Sequence, residues 1–252
     1  MAREFQYIQN QTPKLCLKAV KNDGMNLQYV IDQTHDICIA AIRNNPNSFL
    51  YIDKRTPAIC LEAVKQNGHM LKFMHEQTPE LCMTAVKQTG MALQYVKNQS
   101  HKLCMTAVQQ CGIALQYVKN QTPELCLAAV QQNGLALEHV KHQTHKICMA
   151  SVKQAGGWSL CYAHTQTPEL CLAAVQAGGI SVCWVKNQTP TICLAAVQQD
   201  MFALEYVRNQ TPEVCLEAVK KDGRLLKYVK NQTPEIIEAA LRENHGASMY
   251  VR

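Results

Sequence analysis

The stretch from Thr122 to Gln143 reads Thr-Pro-Glu-Leu-Cys-Leu-Ala-Ala-Val-Gln-Gln-Asn-Gly-Leu-Ala-Leu-Glu-His-Val-Lys-His-Gln. It decides the fold because it recurs along the whole chain. The hydroxyl residue that opens it returns at Thr12, Thr34, Thr56, Thr78, Ser100, Thr122, Thr144, Thr167, Thr189, Thr211 and Thr233. The step is 22 residues throughout, apart from one step of 23 between Thr144 and Thr167. A fixed period in this range marks a stacked-repeat architecture. Repeats 1 to 11 start at these residues, positions within a repeat count from the hydroxyl as zero, and residues 1–11 form a leading half-repeat.

Each part of the unit has a local physical task. Thr at position 0 is a helix N-cap whose oxygen can accept a free backbone N–H of the first turn. Pro follows in eight of the eleven repeats, where its missing N–H costs nothing and its φ is already helical. Glu80, Glu124, Glu169, Glu213 and Glu235 then place negative charge at the positive end of the helix dipole. An apolar run follows, typified by Leu-Cys-Leu-Ala-Ala-Val. Gly at position 12 (Gly24, Gly68, Gly90, Gly112, Gly134, Gly156, Gly179, Gly223) reads as a left-handed helix stop. A shorter helical segment comes next, such as 135–141, with apolar residues at positions 15 and 18 and an aromatic at 17. All nine tyrosines lie at position 17, which reads as a packing position. Seven or eight residues are too few for a helix stable alone in water, so this segment must lean on its neighbours. The Leu-x-x-Leu-x-Leu strand signature of leucine-rich repeats is absent. The expected fold is therefore all-α: an α-solenoid of eleven two-helix repeats forming one domain over residues 1–252.

Composition narrows the function classes. Net charge is +6 and 47% of residues are hydrophobic, with a pI of about 8.6. That balance permits nucleic-acid contact without demanding it, since dedicated binders show a pI above ~9 with clustered cations. No signal-peptide pattern or bilayer-length apolar run is present, so no membrane partner is expected. Ten of the thirteen cysteines occupy position 4, from Cys16 to Cys215. Neighbouring layers would hold them roughly 9–10 Å apart, too far for a disulfide or a shared metal ion. They read as small packing residues in a reducing, intracellular compartment. Neither a metal site nor a cofactor is expected. No nucleophile elbow, P-loop or HExxH motif occurs, and no catalytic residue is assigned.

Candidate binding residues come from a basic ladder and from irregular positions. Position 19 carries Lys97, Lys119, Lys141, Lys186, Arg208 and Lys230, with Asn98, Asn120, Asn187, Asn209 and Asn231 beside five of them. Such a ladder can track a phosphate backbone or grip an extended peptide. It can also complement helix dipoles, with Asn tolerating a left-handed turn. Positions 13 and 16 vary from repeat to repeat, so they either face water or pack locally, or they face a partner. The largest departure from the template lies between Ala155 and Trp184, containing an extra Gly157, then Trp158, Cys161, His164 and Cys183. It reads chiefly as a local bend, and Trp158 joins the candidate binding residues.

The block from Leu125 to Val152, with its AAVxQNGxALxYV-like core, resembles the helical repeats of the domain of unknown function 4116 family. Those repeats occur in tandem arrays in large DNA viruses of amoebae and in protists. The resemblance implies fold and no activity, and for a viral protein it implies host cytoplasm. The functional expectation is a non-enzymatic scaffold binding protein or peptide along one face. Nucleic-acid binding through the Lys-Asn ladder is the alternative, and self-assembly by end stacking is a third reading.

Overall fold

The computed structural model describes Phe5 and residues 8–252. The Tyr7 position of the leading half-repeat lies outside the described residues. Every one of the eleven repeats holds one α-helix followed by one 3₁₀ helix, and no strand occurs among the described residues. In repeat 6 these are Pro123–Gln132 and Gly134–His139. Contacts group the chain into two compact units, Met1–Asn120 and Gln121–Arg252.

The start signals act as the sequence implies. The position-0 oxygen accepts the backbone N–H of position 3 in ten repeats, for example Thr78 from Leu81 at 3.2 Å. Thr34 alone lacks this side-chain bond. The α-helix buries positions 3, 4, 7 and 8, as in Leu125, Cys126, Ala129 and Val130. Spacing of one and four residues puts these side chains on one stripe. The 3₁₀ helix buries positions 14 and 15, such as Ala136 and Leu137, and the following Val140 closes the core. Within each unit, the α-helix of a repeat packs on that of the next, and so do the 3₁₀ helices, apart from the pair Pro46–Tyr51 and Gly68–Phe73. Removing a fully buried Leu costs about 2–5 kcal/mol, whereas a typical hydrogen bond contributes about 0.5–1.5 kcal/mol. Packing therefore carries the stability, and hydrogen bonds set register.

Two expectations about the turn change. Position-12 glycines do not adopt positive φ; Gly156 is the only positive-φ residue among those described. The helix ends at position 11 in extended backbone, with φ near −150° at Asp23, Asn67 and Asn133. Asp and Asn there accept the N–H of position 13, as Asn67 does from His69 at 3.0 Å. Gly is needed for space: a Cβ on Gly24 or Gly68 would lie 2.5 Å from the Ala41 or Ala85 carbonyl of the next repeat. The tyrosines of position 17 also leave the core. Tyr29, Tyr51 and Tyr206 are exposed and the other described members are half-buried, because the 3₁₀ turn directs positions 14, 15 and 18 inward instead.

The extra residue of repeat 7 is Gly156 rather than Gly157. Gly156 has φ 66° and ψ −165°, a region open essentially to Gly alone. Gly157 takes over the buried position-12 role, where a Cβ would overlap Ser181. The inserted residue lengthens the α-helix to Ala155 and is absorbed before Trp158, so Trp158 occupies the position-13 site.

Candidate functional site

Every predicted ladder residue is exposed: Lys97, Lys119, Lys141, Lys186, Arg208 and Lys230, and Asn98, Asn120, Asn187, Asn209 and Asn231. The long cations nevertheless have internal partners. Lys97 Nζ donates to the His75 carbonyl at 2.8 Å, and Lys119 Nζ to the Lys97 carbonyl at 2.8 Å. Lys186 reaches the His164 carbonyl, Arg208 the Val185 and Lys186 carbonyls, and Lys230 the Val207 and Arg208 carbonyls. Each side chain thus meets carbonyls just past the 3₁₀ helix one repeat back, where positive charge is favourable. No Asn in the ladder has positive φ, so the left-handed explanation for them does not hold.

Behind this ladder lies a second one that the sequence reading did not single out. Gln at position −1 closes the end of its own repeat's 3₁₀ helix. Gln77 Nε2 donates to the Tyr95 carbonyl at 2.8 Å, and its Oε1 accepts the Lys97 N–H at 3.0 Å. The same oxygen accepts the Cys82 thiol at 3.8 Å. Gln11, Gln99, Gln121, Gln143, Gln166 and Gln210 repeat the three-way arrangement. The signal was available: Gln precedes the hydroxyl in ten repeats, and Arg55 stands there in the eleventh. A third set of amides, at position 10, crosses between repeats. Asn44, Gln88 and Gln110 accept the Gly24, Gly68 and Gly90 N–H groups at 2.6, 2.9 and 2.6 Å.

The cysteine column serves this network and the core. All thirteen cysteines are free thiols. Burial raises the pKa of every column thiol, and that of Cys215 is pushed up to about 11. They stay protonated at neutral pH. Among the described residues, no group of three His, Cys, Asp or Glu is placed to hold a metal ion. Cys161 donates to the Trp158 carbonyl at 3.1 Å. His145 pairs with Glu169 at 3.3 Å.

An exposed apolar row runs along the 3₁₀ helices of the second unit. Leu135, Trp158, Ile180 and Phe202 occupy equivalent position-13 sites on successive repeats, and Trp158 is 63% exposed. Trp158, Ile180 and Trp184 line one cleft of 160 Å³ with Asp200 at its edge. Three residues make a turn of 3₁₀ helix, so position 16 stacks beside position 13. Position 16 brings Glu138, Cys161, Cys183 and Glu205 to the same face. This surface is apolar with acidic edges. The irregular segment therefore supplies an aromatic cleft as well as an insertion.

No helix among the described residues is long and apolar enough to cross a membrane. Neither a curated protein nor a solved structure matches the chain. The DUF4116 profile, a domain of unknown function, matches residues 13–56, 57–101, 78–122 and 100–143, together slightly more than half the chain. With its tandem two-helix repeats, this protein belongs to the DUF4116 family.

Proposed function

We propose that the chain is a non-enzymatic scaffold that recognises a peptide segment of a partner protein along the 3₁₀-helix face of its second unit. The observation that carries this reading is the cleft formed by Trp158, Ile180 and Trp184, continued by Leu135 and Phe202. Exposed aromatics in a row are what a protein interface uses as anchors. Glu138, Asp200 and Glu205 beside them repel phosphate and favour a segment with apolar anchors and cationic flanks. The position-19 cations, the basis of a nucleic-acid reading, are engaged with backbone carbonyls of the preceding repeat. The free, buried thiols suit a reducing, intracellular setting.

The protein carries its own reporter, because its two tryptophans both line the cleft. Peptides selected from a random display library should shift tryptophan emission to the blue on binding, and Trp158→Ala with Phe202→Asp should abolish their binding. Selected peptides indifferent to that double variant would refute the reading. So would binding of mixed-sequence oligonucleotides with a steep salt slope, lost when Lys97, Lys119, Lys186 and Lys230 are changed to Glu.

A further inference from the structure

Repeat 3 lacks the amide that clamps the other ten, because Arg55 stands where they have Gln. In those repeats the amide joins the carbonyl of position 17 to the N–H of position 19, as Gln77 joins Tyr95 to Lys97. The corresponding groups of repeat 3 are the Phe73 carbonyl and the His75 N–H, and neither has a hydrogen-bond partner among the described residues. Arg55 does not replace the amide. Its guanidinium turns back over the Phe49 ring, 4.6 Å from the centroid, and toward the Leu50 carbonyl. Cys60, the column thiol that would donate to the missing oxygen, is only half-buried, unlike every other cysteine in the column. A cavity of 540 Å³ opens here, lined by Arg55, Cys60, Phe73, Met74 and His75, with Glu76 and Glu80 at its wall.

We infer that this cavity is a binding subsite for a primary carboxamide: the side chain of a Gln or Asn on a bound peptide, taking the place that the protein's own Gln takes in the other repeats. The ligand's N–H₂ would donate to the Phe73 carbonyl. Its oxygen would accept from the His75 N–H and the Cys60 thiol. Seven other repeats hold that three-point geometry with their own Gln, so the chemistry is the molecule's own. A carboxylate cannot donate to the Phe73 carbonyl, and Glu76 and Glu80 outnumber the single Arg55 guanidinium. The cavity therefore selects a neutral amide over an acid. The subsite deepens the scaffold reading only in taking the amide to arrive on a peptide, and it lies in the first unit, apart from the tryptophan cleft.

The test uses the full chain labelled with ¹⁵N-histidine, the His75 amide signal being assigned from a His75→Gln variant. N-acetylglutamine N-methylamide, a weak one-residue probe, should move that signal saturably in the millimolar range. The glutamate analogue should move it at least several-fold less at equal concentration. Arg55→Gln, which supplies the amide internally, should abolish the response and raise the melting temperature. Arg55→Ala, which leaves the groups open, should keep the response. The inference is overturned by an unmoved His75 signal, by equal response to the glutamate analogue, or by an undiminished response in Arg55→Gln. Because no natural partner and no tryptophan read-out is involved, failure here leaves the Trp158 cleft untouched, and failure there leaves this subsite intact.

Discussion

Asn209 and Gln210 are neighbours in sequence and near-identical in chemistry, yet the fold gives them different weight. Gln210 Nε2 donates to the Leu204 and Tyr228 carbonyls at 3.2 and 2.9 Å. Its Oε1 accepts the Lys230 N–H at 2.8 Å and the Cys215 thiol at 3.7 Å. Gln210→Ala removes three N–H···O bonds of about 0.5–1.5 kcal/mol each. Water can reach part of this half-buried site, so the expected loss is about 1.5–3 kcal/mol rather than the full sum. With a urea slope of about 2 kcal/mol/M, the midpoint should fall by about 1 M. Asn209→Ala, at an exposed position, should stay within about 0.5 kcal/mol of the parent. Helical circular dichroism against urea measures both, and native-state hydrogen exchange should show the Lys230 N–H losing its protection only in Gln210→Ala. Equal midpoints for the two variants, or an unchanged Lys230 exchange rate, would refute the assignment of the clamp to Gln210.

Four further outcomes follow from particular residues. Gly68→Ala should destabilise by about 1–3 kcal/mol through overpacking against the Ala85 carbonyl; an unchanged urea midpoint would show that the contact relaxes freely. Gly156→Ala should cost a similar 1–3 kcal/mol for a different reason, backbone strain at φ 66° with nothing crowding the new methyl, so a high-resolution structure of that variant should show φ displaced rather than neighbours moved. Ser48 has a buried hydroxyl without a partner, and Ser48→Ala, matching Ala92, Ala114 and Ala136 at the same position, should raise stability by up to about 1 kcal/mol, measured by the same urea titration. Alkaline pH should weaken the fold through the thiol column. The unfolded thiol ionises near 9, whereas burial holds Cys215 near 11, so its contribution is fully present below pH 9 and is lost as pH rises from 9 toward 11. A Cys215→Ala variant should show a shallower decline of the urea midpoint across that window; an identical decline would remove this thiol from the cause.

The candidate face was legible in part. Trp158 and the variability of positions 13 and 16 stood out in the sequence, because a repeat protein displays its own template and any departure is visible against it. The Lys-Asn ladder stood out too, but where each lysine reaches was not legible. Lys97 and the His75 carbonyl are 22 residues apart, and only the stacking distance brings them to 2.8 Å. The amide clamp and the open groups beside Arg55 were missed for a related reason. Gln before Thr looks like a linker residue until its two partners, 18 and 20 residues ahead, are seen to converge on one side chain.

The sequence by itself determined the repeat: its 22-residue period, its Thr-Pro helix starts, the apolar run of positions 3 to 8, and the all-α class. These depend on interactions within a few residues, and local chemistry specifies them. Only the tertiary structure decided why Gly occupies position 12, that the tyrosines stay half outside the core, and which amides bind one layer to the next. Those outcomes depend on how closely the following repeat approaches. The crowding of a Gly Cβ by a carbonyl 17 residues away is a distance between layers, and no local preference encodes it.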